Sequence, residues 1–151
     1  MRAWLAFLHA EQVYREAMAE LGHVDLEQVL REGLGHLPWR RQALDVLMLS
    51  NVAFSVRLLP QLFELASVSH ALLSDVRESI LRIPRDILET ELPSLVHALT
   101  VNPESDYEAY RRTAELLRLL EMPELLMELA GAAAQSSDSD IREVGKDFAS
   151  N

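Results

Sequence analysis

Leu59-Pro60-Gln61-Leu62-Phe63 recurs twice with its pattern kept, as Leu92-Pro93-Ser94-Leu95-Val96 and as Met122-Pro123-Glu124-Leu125-Leu126. After a spacer of twelve to fourteen residues, each copy is followed by a bulky apolar residue and an arginine: Val76-Arg77, Tyr110-Arg111 and Ile141-Arg142. The prolines stand 33 and 30 residues apart and the arginines 34 and 31. A period of that length belongs to a stacked array of supersecondary units, none of which can bury its apolar face alone.

Outward from these units, apolar spacing of three and four continues nearly throughout and two-residue alternation is missing, so the chain reads as all-α, about nine helices with no strand. Trp4 to about Leu21 predicts an amphipathic helix, with Leu5, Leu8, Tyr14, Ala17, Met18 and Leu21 apolar and Gly22 as its left-handed cap. Asp25 offers the N-cap of a second helix through Arg31, closed by Gly33 and Gly35. Pro38 opens a third helix that turns Trp39, Ala43, Val46 and Leu47 inward and stops at Ser50-Asn51. Val52 to Ala66 reads as a helix kinked by Pro60, because an interior proline removes a hydrogen bond and clashes with the preceding turn. Ser74-Asp75 then caps a shorter helix that buries Val76, Ile80, Leu81 and Ile83. Pro84 starts the next helix, which Pro93 kinks. Asn102-Pro103 restarts the longest one, through about Glu121. Pro123 opens another to about Gln135, and a last helix after the polar turn 136–140 buries Ile141, Val144 and Phe148. The chain thus divides into an N-terminal helix 1–22, a degenerate unit 24–51, units 52–83 and 84–121, and a C-terminal unit or cap 122–150.

A proline in the first helix of a pair, with an apolar-arginine step opening the second, resembles the HEAT repeat family of α-solenoids. The matching residues are Leu59, Pro60, Leu62, Phe63, Val76 and Arg77 in one unit, and Leu92, Pro93, Leu95, Val96, Tyr110 and Arg111 in the next. The third unit, with Pro123, Leu125, Leu126, Ile141 and Arg142, departs because its proline starts the helix; an earlier unit through Val29-Leu30 and Trp39-Arg40 lacks the proline. Over residues 24 to 150 the resemblance implies a short right-handed solenoid of antiparallel helix pairs, whose second helices line a concave protein-binding surface. It further implies an Asp at the turn bonded to the arginine of a neighbouring unit, and Asp75, Asp106 and Asp138 stand nearby at differing offsets. Some relatives bind DNA or act on bilin pigments, so a bilin-lyase-like enzyme or cofactor-binding module on the same scaffold is the alternative function. A segment of a longer array is a further alternative.

Composition narrows the partner. A formal net charge of -10 opposes nucleic-acid binding, which needs basic patches to displace counterions, and suits a basic protein. Cysteine is absent, which excludes disulfides and thiolate metal sites and fits a reducing cytoplasm. Among the basic residues only Lys146 is lysine, a bias that fits a GC-rich bacterial genome. The start of the chain resembles a signal peptide, but Glu11 and Glu16 interrupt a run too short for an h-region or a bilayer span.

Chemistry-bearing motifs are sparse. Glu20-Leu21-Gly22-His23 spells half of a di-iron pattern, in a single copy interrupted by glycine. Gly33-Leu34-Gly35 lacks the strand and third glycine of a dinucleotide site, and the remaining histidines have no metal-ligand spacing. Carboxylates one turn apart, Glu124 with Glu128 and Glu143 with Asp147, read as solvated faces. No catalytic residue, metal or cofactor is therefore predicted. The expected function is a non-catalytic interaction scaffold, in a sharper form an inhibitor or immunity-type protein for a basic effector. Its candidate partner-binding residues, on the second helices, are Arg41, Arg77, Tyr107, Arg111, Arg112, Glu115, Arg118 and Arg142. Arg77, Arg111 and Arg142, at a fixed repeat position, are also suited to bonding the neighbouring unit. Trp4, Phe7 and Leu8 exceed what one packing face requires, so they fold onto the first unit or mark contact with a second copy or another protein.

Overall fold

The computed structural model describes residues 2–21 and 25–149. Gly22 and His23, the expected helix cap and half of the Glu-x-x-His pattern, lie outside the described residues. Ten α-helices and one 3-10 turn are present where about nine helices were expected, and no strand occurs among the described residues. They are α1 (Arg2–Leu21), α2 (Leu26–Gly35), the 3-10 turn Leu37–Trp39, α3 (Arg40–Leu49), α4 (Val52–Arg57), α5 (Leu59–Ala66), α6 (Leu73–Leu81), α7 (Arg85–Val101), α8 (Tyr107–Leu119), α9 (Pro123–Ala134) and α10 (Ser139–Phe148).

The extra helix comes from proline. Leu58 leaves the helical conformation and Pro60 sits in the first turn of α5, so the predicted kinked helix is two, α4 and α5. Pro93, by contrast, lies inside a continuous α7. The two prolines are therefore equivalent in spacing but not in helix position. Their neighbours do match: Leu59, Leu62 and Phe63, Leu92 and Val96, and Met122, Leu125 and Leu126 are all buried, as are Val76, Tyr110 and Ile141 in front of the arginines.

Other boundaries shift for identifiable reasons. Asp25 caps α2 through its carboxylate and the Gln28 amide, and the helix runs past Arg31 to Gly35. Gly33 belongs inside it because a side chain there would press on Ala43 of α3, whose Cβ would lie 2.9 Å away. Trp39, expected inward, ends the 3-10 turn and is 58% exposed; Leu44 takes the core position. α6 begins one residue before Ser74, without a side-chain cap. Asn102 ends α7, and Asp106 caps α8 by accepting from Ala109, so Asn102-Pro103 is a loop and α8 is shorter than α7 and α1.

Packing follows chain order. α2 packs on α3, α5 on α6, α7 on α8, and α9 on α10. Between these pairs, α3 meets α6, α5 meets α8, α7 meets α9, and α8 meets both α9 and α10. The closest approach is α10 on α9, where a Cβ on Gly145 would lie 2.7 Å from the Ala134 nitrogen and 2.8 Å from the Ala130 oxygen. One apolar core runs from Leu30 to Phe148. α1 contributes nothing to it: no residue from Arg2 to Glu20 is buried.

Arginines close several helix ends. Arg82 donates to the carbonyls of Leu47, Met48 and Ser50 at the end of α3, and Arg40 to Leu34 in α2. Arg85 donates to Leu120 and Glu121 after α8. There the chain turns through Glu121 at φ 54, with Met122 bonded to Leu117 and Glu121 to Arg118, a Schellman closure usually made with glycine.

Two stability measurements check these assignments. Replacing Pro93 by Ala restores an amide donor inside α7 and is expected to raise stability by about 1–2 kcal/mol, while Pro60→Ala lowers it by less than about 1 kcal/mol, both read by urea denaturation. Glu121→Gly removes the left-handed penalty and is expected to add about 1 kcal/mol, seen as a higher midpoint at unchanged m-value.

Candidate partner-binding face

Helices α3, α6, α8 and α10 each turn an apolar stripe to the core; α3 packs on α6 and α8 on α10, and α6 is joined to α8 through Arg77. Val76 is buried in the core, so Arg77, the next residue, emerges at the edge of α6 and reaches α8. Its Nη2 donates to the Arg112 carbonyl at 3.2 Å and to Glu115 Oε2 at 2.9 Å. Arg112 donates through Nη1 to both oxygens of Glu115, at 3.0 and 2.9 Å, and through Nε to Ser69 Oγ at 2.8 Å. The same α5–α6 loop is held twice more: the Ser69 amide donates to Glu108, and the hydroxyls of Ser67 and Thr113 lie 3.2 Å apart.

Burial alone would raise the carboxyl of Glu115, but hydrogen bonds from Arg77 and Arg112 outweigh it and hold the group below its ordinary value of 4.5.

One unit further on, the arrangement repeats. Arg111 of α8 donates to Asp147 of α10, and that hydrogen bond is the main cause raising its own affinity for the proton. Its guanidinium lies 5.1 Å from the ring centre of Tyr107, which is half-exposed, and that of Arg118 lies 4.4 Å over Phe148. Arg142 differs, donating to the carbonyls of Ser136 and Ser137 in its own turn.

Arg77 and Arg111 thus each bridge to the helix two further along the chain. The carboxylates they meet are Glu115 and Asp147, not the expected turn aspartates: Asp106 and Asp138 cap α8 and α10, and Asp75 lies in the first turn of α6.

Of the eight sequence-predicted residues, Arg77, Arg112 and Glu115 form one cluster and Tyr107 and Arg111 a second beside it, with Arg118 over the adjoining Phe148. Arg142, on α10, bonds the carbonyls of the α9–α10 turn, and Arg41 is exposed on α3, apart from both. Sequence reasoning missed the apolar part. Between α6 and α8 an open groove of about 530 Å³ is lined by Leu73, Ser74, Arg77, Glu78, Leu81 and Leu119. Leu81, expected in the core, is 46% exposed and Leu119 is 47% exposed. Each stands four residues after a bridging partner, Leu81 after Arg77 and Leu119 after Glu115, a step that keeps them on the same helix strip. That step was a readable signal.

His70 accepts the Leu72 amide at Nδ1, so Nε2 carries the proton and donates to the Leu65 carbonyl, bracing the turn before α6. No group of three or more metal-ligating side chains occurs among the described residues. No helix among them is long and apolar enough to cross a membrane.

Because Glu115 binds its proton less tightly folded than unfolded, its contribution is full above the ordinary glutamate range and fades as the pH falls through the lowered value. Glu115→Gln is expected to cost about 1 kcal/mol at pH 7, a modest figure because the pair is partly hydrated, and the gap to the unaltered protein should close on acidification below 4.5. Thermal unfolding of both proteins across pH checks it. No protein-family model, curated protein or solved structure matches this chain.

Proposed function

We propose that this chain is a non-catalytic scaffold, a short right-handed α-solenoid of HEAT-like helix pairs, which binds another protein through the face of its second helices. The pairs are residues 24–51, 52–83, 84–121 and 122–150. Contacts between consecutive pairs, and arginine bridges spaced 38 and 36 residues from acceptor to donor, support that arrangement.

The observation that carries the binding reading is the α6–α8 groove. Two half-exposed leucines stand there beside a guanidinium and carboxylate already fixed in place, so a partner would meet an apolar centre with a pre-ordered polar rim. Little side-chain entropy would be lost on docking, and that favours affinity. The net charge of -10 favours a basic partner, which fits an inhibitor or immunity-type role in a cytoplasmic setting.

Crosslinking capture from the native cells tests this with two baits, the unaltered chain and a Leu81→Asp/Leu119→Asp variant. Both leucines are solvent-exposed, so the variant should fold. A basic protein held by the first bait should be lost from the second, and its capture should weaken several-fold between about 0.1 and 0.5 M salt. Capture indifferent to the double substitution would place the binding face elsewhere and end this proposal.

A further inference from the structure

The two ends of the helix stack are unlike. At the C-terminal end α10 turns Asp140, Glu143 and Lys146 to water. At the other end α2 and α3 leave an open apolar trough of about 270 Å³, walled by Leu26, Val29, Trp39 and Val46 over a floor at Gly33 and Ala43. A cavity of about 150 Å³ already accepts benzene, so this one has room for an aromatic side chain.

The same chain carries a second uncovered apolar surface. Positions 3, 7, 10, 14, 17 and 21 of α1 are Ala3, Phe7, Ala10, Tyr14, Ala17 and Leu21, a strict three-four spacing in which large residues alternate with alanine. That is the pattern of a helix seam built to lie against other helices. Trp4 stacks beside Phe7, ring centres 5.4 Å apart, and the two are 64% and 56% exposed. Within one chain α1 does not cover the trough, since none of its residues from Arg2 to Glu20 is buried.

We infer that the occupant of the trough is α1 of a second copy: two chains exchange their first helices, each laying its Phe7 seam across the α2–α3 end of the other. Stoichiometry favours this occupant, because every copy supplies one seam and one trough, and a two-fold axis satisfies both. Area favours it too. A twenty-residue helix is about 30 Å long and about 10 Å wide, so one face covers about 300 Å². Reciprocal exchange removes both α1 faces from water and covers both troughs as well, more than any pairing of the seams alone. Pairing of two α1 helices alone removes about 600 Å², a value typical of lattice contacts. The dimer would leave the α6–α8 groove open and stands independently of the scaffold reading.

Sedimentation velocity on the full chain, from about 1 to 100 µM, tests the exchange, with circular dichroism to confirm folding. The unaltered protein should dimerise. Phe7→Asp on the seam and Trp39→Asp or Val29→Asp on the exposed trough wall should each weaken the dimer at least tenfold at unchanged helicity. Mixing the Phe7→Asp and Trp39→Asp proteins should recover part of it, because one intact seam then meets one intact trough. Leu81→Asp/Leu119→Asp should leave it unchanged, which separates this result from the partner test. A monomer throughout, from α1 folding back on its own chain or awaiting another protein, overturns the inference. So does a dimer indifferent to Trp39→Asp, which would mark simple α1 pairing, or a mixture that recovers nothing.

Discussion

A pair of short helices has too little surface to cover its own leucines, and this shortage governs the molecule. Leu59 and Leu62 on α5 are out of water because α5 meets α8 of the next pair as well as its own partner α6, and Leu92 on α7 relies similarly on α8 and α9. The core that results is one continuous body from Leu30 to Phe148. No pair has a private interior, so each is stable to the extent that its neighbour is in place.

Polar bonds work on the geometry that burial leaves. Short helices multiply helix ends, and every end leaves carbonyls without an internal partner. Arg40, Arg82 and Arg85 meet this demand with guanidiniums, whose several donors in one plane can serve two or three carbonyls at once. A lysine ammonium has the charge without that fan of directions. Arg77 and Arg111 apply the same fork sideways, to carboxylates two helices further along the chain, which ties consecutive pairs in register.

Much of this was legible. The proline-leucine and apolar-arginine cadence marks core positions in all three copies, with Leu95 only partly buried, and the expectation that the repeat arginines bond the neighbouring unit is met by Arg77 on Glu115 and Arg111 on Asp147 but not by Arg142. What escaped had physical causes. Proline breaks or merely decorates a helix according to whether the chain just ahead of it leaves the helical conformation: Leu58, two residues before Pro60, does so, whereas α7 is unbroken up to and through Pro93. Leu81 and Trp39 have the chemistry of core residues; their exposure depends on where neighbouring pairs stop, and a single stretch of sequence does not carry that. The family resemblance implies aspartates at the turns as arginine partners, yet an aspartate before a helix serves the free amides of its own first turn at no loop cost. In the binding face the charged members were readable, whereas the leucines that give it an apolar centre were hidden by the assumption that leucine goes inside.

The absence of a side chain at Gly145 lets α10 settle directly on the backbone of α9, while α2 and α3 meet open space on their outer side. Cohesion is therefore graded along the chain. Under rising denaturant or mechanical pull the molecule should fray from its beginning, with the amides of α1 exchanging with solvent first, those of α2 and α3 next and those of the final hairpin last.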